Sequence, residues 1–92
     1  MVGSTFGGKL THYVKPVYPK DAKRLHREGT VRLRGLLTKT GVPRNLQVTS
    51  GDPMLVPAAL AAVRQWRYEP TRLNGEPVEV ITQIDVDFNL RQ

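Results

Sequence analysis

Cysteine is absent from these 92 residues, so neither a disulfide framework nor a thiolate site can be built, and redox chemistry says nothing about the compartment. Histidine is nearly absent: His12 and His26 stand far apart in the chain, too little for a metal site, which needs clustered His, Cys or carboxylates. No stretch approaches the roughly 20 apolar residues of a membrane span, and none has the basic, apolar and small-residue layout of a signal peptide. The sequence therefore reads as a soluble domain. Aromatics make up only 7% of it, few for a surface that stacks nucleic-acid bases. Acids are scarce in one half only. Residues 1–50 hold ten Lys/Arg against Asp21 and Glu28, while residues 51–92 hold four Arg against six acids.

What is present fits a single small domain with one modest core. Apolar residues make up 39% of the chain and the net charge is +6, so folding is expected rather than disorder. The basic half suits an anionic neighbour such as nucleic acid, a lipid or lipopolysaccharide surface, or an acidic protein. A solvated basic face that only keeps the domain soluble accounts for it equally well.

The strongest local pattern closes the chain. From Val78 to Leu90, the residues Val78, Val80, Ile84, Val86, Phe88 and Leu90 share one parity, with Thr82 among them, and Glu79, Gln83, Asp85, Asp87 and Asn89 the other, with Ile81 the one exception. Alternate side chains point to opposite faces of a strand, so the pattern predicts one long strand with an apolar and a polar face. Thirteen residues would span roughly 43 Å. Such a strand either has partners along its whole length or leaves a bare backbone edge.

Residues 1–12 are rich in Gly, Ser and Thr and predict a flexible lead-in or a weak edge strand, leaving residues 13–92 as the domain. Pro16 and Pro19 stiffen the approach to a first short helix, with Pro19 at its start, Gly29 after its end, and Ala22, Leu25 and His26 on its packing face. Thr30 to Thr38 and Arg44 to Ser50 alternate about a turn at Thr40-Gly41-Val42-Pro43, predicting a hairpin with Leu46 and Val48 inward. Asp52 reads as the N-cap of a second helix, whose stripe runs Leu55, Val56, Ala59, Leu60, Ala62, Val63 and Trp66. Trp66 should close the core beneath that helix, and Tyr68 and Pro70 should set the exit from it. The fold class predicted is α+β, with two helices packed on one face of a three-stranded antiparallel sheet. A right-handed crossover would leave the first hairpin strand central and the last strand at an edge.

Little of this supports catalysis. No base stands beside a candidate nucleophile, and Gly7-Gly8 lacks the surroundings of a phosphate loop. Asp85 and Asp87 could be a carboxylate pair, but they more simply face Arg32 and Arg34 across the sheet as ion pairs. No enzyme, metal or cofactor is expected. Lys20, Lys23, Arg24, Arg27, Arg32 and Arg34 would suit nucleic acid, yet neither hairpin strand offers a stacking platform. The backbone of the last strand remains. An open edge can take an extended peptide as an added strand, or carry charges such as Glu79, Asp85 and Asp87 that only blunt it.

Several motifs then stand in order over about residues 13–90. They are Pro16-Val17-Tyr18-Pro19, Ala22, Gly29-Thr30-Val31, the turn at Gly41, Ala58-Ala59, Trp66-Arg67-Tyr68-Glu69-Pro70, Asn74-Gly75-Glu76-Pro77-Val78 and the closing Val86-Asp87-Phe88. Together they resemble the C-terminal domain of TonB-family energy transducers. The resemblance implies a periplasmic domain of a longer protein with an inner-membrane helix and a Pro-rich linker, energised by an ExbB/ExbD-type motor. Such a domain grips the TonB box of an outer-membrane transporter and drives uptake of siderophores, cobalamin or other scarce solutes. It implies strand addition to the backbone of Val80, Ile81, Thr82, Gln83, Ile84, Asp85, Val86 and Asp87, with Lys15, Tyr18, Lys20, Asp21 and Lys23 alongside. Two positions depart from the family pattern. Asp21 stands where the best-known members have an Arg, and Lys15 replaces a Gln. TonB-like domains also occur in membrane sensor and peptidase fusions, which is the alternative, ahead of a small nucleic-acid-binding domain. A strand-exchanged homodimer is a further expectation from so long a strand.

Overall fold

Pro19 holds an extended conformation (φ −62°, ψ 138°) and delivers the chain straight into the first helix, α1, Lys20–Arg24. The computed structural model describes residues 2–4 and 9–90. α1 is shorter than the sequence pattern predicts. His26 takes a left-handed conformation (φ 54°), and the amides of His26 and Arg27 donate to the carbonyls of Lys23 and Ala22 at 3.1 and 2.8 Å. Those two bonds close a Schellman motif with His26 in the position glycine usually fills. The helix therefore stops before Gly29, and of its expected packing face only Ala22 is buried; Leu25 is 54% exposed and His26 is exposed too.

The hairpin predicted by alternation is present as β3 (Gly29–Leu37) and β4 (Pro43–Ser50). Val31, Leu33 and Leu37 of β3 are buried, and the side chain of Leu46 lies over Gly35, where an added Cβ would meet Leu46 Cδ2 at 2.7 Å. Val48 stands opposite the buried Leu33, on the inner face as expected, yet it is 42% exposed because β4 is the outer strand and only β3 flanks it. In the connecting turn the Thr38 amide donates to Val42 O and the Gly41 amide to Thr38 O. Gly41 (φ 82°) has no substitute here: a Cβ would fall 1.8 Å from the Tyr68 carbonyl oxygen.

Asp52 initiates the second helix one turn earlier than a simple N-cap. Its Oδ1 accepts from the Met54 amide at 2.9 Å and its Oδ2 lies 2.9 Å from Arg27 Nε. A turn at residues 53–55 follows, then α2, Val56–Val63. Leu55, Ala59, Val63 and Trp66 from this region join Ala22 of α1 in one buried cluster with Val31, Leu33 and Leu37.

The chain then makes two short pairings before its final strand. β5 (Arg67–Tyr68) pairs with β2 (Leu10–His12), and β6 (Thr71–Leu73) forms a hairpin with β7 (Glu76–Val78). Asn74 (φ 53°) and Gly75 (φ 82°) at the tip of that hairpin both have the positive φ of a type I′ turn. The final strand, β8, runs Val80–Phe88. This corrects the thirteen-residue strand expected from Val78 to Leu90, since Val78 pairs with Thr71 in the small hairpin. Thr82, Ile84, Val86 and Phe88 are buried, as the alternation requires.

The architecture is a mixed α/β domain with two helices and a four-stranded sheet in the order β1-β8-β3-β4, where β1 is Val2–Ser4. Three strands were expected. The fourth comes from the chain's own start and lies antiparallel on β8, so the last strand is not the sheet edge along Ile84–Val86. β3 pairs with β8 along its full length, Gly29 opposite Phe88 and Leu37 opposite Val80. That register sets Arg32 opposite Asp85, with Nε 3.6 Å from Oδ1. It sets Asp87 opposite Thr30 rather than near Arg34, and the Thr30 hydroxyl donates to Asp87 Oδ1 at 2.6 Å. The two aspartates are thus divided between separate partners and do not act as a carboxylate pair.

Candidate functional site

Two stretches of chain meet at the C-terminal end of β8. Trp66, fully buried, donates its indole N–H to the Val14 carbonyl at 2.7 Å, and the Tyr13 ring packs on the indole with centroids 5.2 Å apart. This fixes the segment before α1 against the core. Further along, the Tyr18 hydroxyl donates to the Arg27 carbonyl, and the Tyr18 ring meets Phe88 edge-on with centroids 5.5 Å apart. Burial, then the Glu28 carboxylate, raises the Tyr18 pKa above its ordinary value. That phenol serves as a neutral hydrogen-bond donor which ties the extended segment to the far end of α1.

The result is a cleft of about 340 Å³ lined by Lys15, Pro16, Tyr18, Lys23, Asn89 and Leu90. A smaller one of about 80 Å³ beside it adds Tyr13, Asp87 and Phe88. Of the residues named from sequence, Lys15, Tyr18, Lys23 and Asp87 come together here. Lys20 and Asp21 do not line either cleft, and Asp21 is held by Arg24 at 3.1 Å in an exposed ion pair. Such a pair is worth about 0–1 kcal/mol and leaves the carboxylate available to solvent. Pro16, Asn89 and Leu90 were not anticipated as lining residues. The Pro-x-x-Pro spacing around Tyr18 was the signal for the first, because an extended segment beside a strand end exposes alternate residues to the gap between them.

The other candidates, Val80 to Asp87, form the body of β8. Their inner side is filled by β3, and on the outer side the pairing runs Val2 with Val86, Gly3 with Asp85 and Ser4 with Ile84. The side chains of Ile81, Gln83, Asp85 and Asp87 alternate with the buried row. Ile81 is 52% exposed and borders a depression of about 430 Å³ that Arg34, Thr49, Thr82 and Gln83 complete. Among the described residues no group of three or more His, Asp or Glu side chains could hold a metal ion, and no helix is long and apolar enough to cross a membrane. What the arrangement offers is an extended backbone flanked at one end by two lysines and a tyrosine.

Comparison with known proteins shows the family. Residues 14–90 match the family model described as Gram-negative bacterial TonB protein C-terminal. Protein TonB of Vibrio cholerae is 35% identical over 79 residues, covering 84% of this chain and 32% of that protein. Protein tonB2 of Pseudomonas aeruginosa is 35% identical over 81 residues, covering 86% and 30% respectively. The chain thus spans about a third of the length of these curated relatives. Among solved structures, the solution NMR structure of the Pseudomonas aeruginosa TonB CTD superposes with a TM-score of 0.70 at 27% identity, over 91% of this chain and 87% of that one.

Proposed function

This chain belongs to the Gram-negative bacterial TonB protein C-terminal family, and from that premise we propose that it is the periplasmic end of a TonB-like energy transducer. In this reading it is a non-catalytic coupling module. It binds the TonB box of an outer-membrane transporter by strand addition to β8, so that the inner-membrane proton-motive force drives active uptake of solutes such as siderophores. A motor of the ExbB/ExbD type acts through the part of the protein beyond this chain. Partner contacts fall on the backbone of Val80–Asp87, with Lys15, Tyr18, Lys20, Asp21 and Lys23 alongside.

The observation that carries the reading is the outer side of β8, which accepts extended antiparallel chain in regular register at Ile84–Val86. A strand with that property gives affinity through main-chain hydrogen bonds and selectivity through alternate side chains. The nearby Lys15 and Lys23 add a positive potential that favours an acidic flank on the docked segment. The same edge can also take a second copy of the domain in a strand-exchanged dimer.

Titrating a synthetic TonB-box peptide against the isotope-labelled domain tests the proposal. Amide shifts should run along residues 80–87 and into the Lys15–Lys23 segment. Shifts limited to α1, with none on β8, would rule strand addition out.

A further inference from the structure

β8 already carries a strand on its docking side. Val2–Ser4 lie antiparallel across Ile84, Asp85 and Val86, the middle of the stretch on which the docking reading rests. An edge strand takes whatever extended chain presents matching N–H and C=O groups, whatever its side chains. Three residues pair weakly on their own, since even an isolated two-stranded hairpin is marginal in water. The pairing is sustained by tethering. From Lys9 onward the chain is anchored, with the Lys9 carbonyl accepting from the Glu69 amide at 2.7 Å and Leu10 set opposite Tyr68. Because Ser4 and Lys9 are covalently joined in one chain, the segment stays near β8 at an effective concentration on the order of millimolar.

We infer that residues 2–4 are an intramolecular plug of the β8 edge, and that a partner segment binds by strand exchange, pairing antiparallel along Ile84–Val86 as residues 2–4 leave. The inference rests on the reading of that edge as the docking site. It makes the start of the domain a regulator of affinity. An apparent dissociation constant is divided by the fraction of competent molecules, so a plug closed roughly nine-tenths of the time weakens partner binding about tenfold.

The test keeps the chain intact and carries Gly3→Pro together with Ser4→Pro. Neighbouring residues of an edge strand donate to opposite sides, so two adjacent prolines remove a ladder donor whichever way the strand is set. Amide exchange is measured with no partner present, and a synthetic TonB-box peptide is titrated into both chains. The variant should lose at least about fivefold protection at the amide within 84–86 that points to the plug, keep its protection towards β3, and bind the peptide about tenfold more tightly. Unchanged exchange, or binding of the peptide to both chains with the same affinity, overturns the plug. So does protection that grows with protein concentration, which would assign the added strand to a second copy. A peptide with the sequence of residues 1–8, added in trans to the variant, separates the two readings. If it shifts 84–86 while the TonB-box peptide binds neither chain, the plug stands and the transporter assignment falls.

Discussion

Replacing Trp66 tests at once the core and the segment that shapes the cleft. The indole is fully buried, and its N–H donates to the Val14 carbonyl at 2.7 Å. Trp66→Ala removes the whole ring and should cost about 3–5 kcal/mol. For a domain of this size each kcal/mol lowers Tm by about 4–8 °C, so the midpoint should fall by roughly 12–40 °C. That is a large share of the roughly 5–15 kcal/mol that holds small domains together. Trp66→Phe is therefore the more informative change. It keeps an aromatic ring in the core but loses the donor and part of the volume, at about 1–3 kcal/mol. In the folded phenylalanine variant, amide resonances of Val14 and Lys15 should move and broaden while those of β3 stay in place. Thermal unfolding followed by circular dichroism gives the first number, and the amide spectrum gives the second. An alanine variant with the parent midpoint would show that Trp66 is not core. A phenylalanine variant with an unaltered Val14–Lys15 segment would show that the indole bond does not position the cleft.

Gly41→Ala should cost about 2–4 kcal/mol, from left-handed strain plus loss of the Tyr68 N–H to Gly41 O bond, because its Cβ would strike the Tyr68 carbonyl. Gly75 has the same φ of 82° with open space around it, so Gly75→Ala should cost only about 1–2 kcal/mol by denaturant titration, and equal losses would refute the clash. Tyr68 is buried and its pKa is pushed up from 10.0 to about 12 by burial. Between those values the unfolded chain has released a proton that the folded one still holds, so stability is intact below pH 10 and declines towards pH 12. Tyr68→Phe should remove part of that alkaline decline in pH-dependent melting; an identical decline in both proteins would contradict it. Asp52→Asn keeps an acceptor for the Met54 amide but gives up the Arg27 pair, and should cost about 0.2–1 kcal/mol, shrinking at high salt. Asp52→Ala loses both and should cost about 1–2 kcal/mol, with equal losses for the two variants counting against the capping role.

Elements held by side-chain burial were legible in the sequence. The alternation of Val31, Leu33 and Leu37 and the stripe of Leu55, Ala59 and Val63 are driven by one buried cluster, and period follows from which face is covered. The same rule hid the break at Glu79. β7 and β8 happen to share parity, so Val78 and Val80 look continuous although they belong to different pairings. The discriminating signal was the Asn74-Gly75 pair with Pro77, which read as punctuation of a link rather than as the tip of a separate hairpin. The end of α1 was illegible for a different reason: a histidine in the left-handed region leaves no mark comparable to glycine, and the stop was placed at Gly29.

The site divides along the same line. Lys15, Tyr18 and Lys23 were named through the family resemblance that the Tyr-Pro motif carries, and the structure packs that extended segment against Phe88. The β8 edge depends instead on main-chain groups that every residue except proline carries, so neither its availability nor its occupant is encoded in residue type. Val2-Gly3-Ser4 has no apolar alternation, so the sequence left this stretch open between a flexible lead-in and a weak edge strand, and it forms a strand because a donor-and-acceptor row lies within reach of its anchor at Lys9. A domain that recognises partners by backbone is therefore exposed to capture by neighbouring stretches of its own chain, and the weaker that internal pairing, the more readily an incoming strand replaces it. On the docking and plug proposed above, affinity for a partner segment is set by the difference between two pairings on one edge, and changes in residues 2–4 tune that difference while leaving the fold and the cleft untouched.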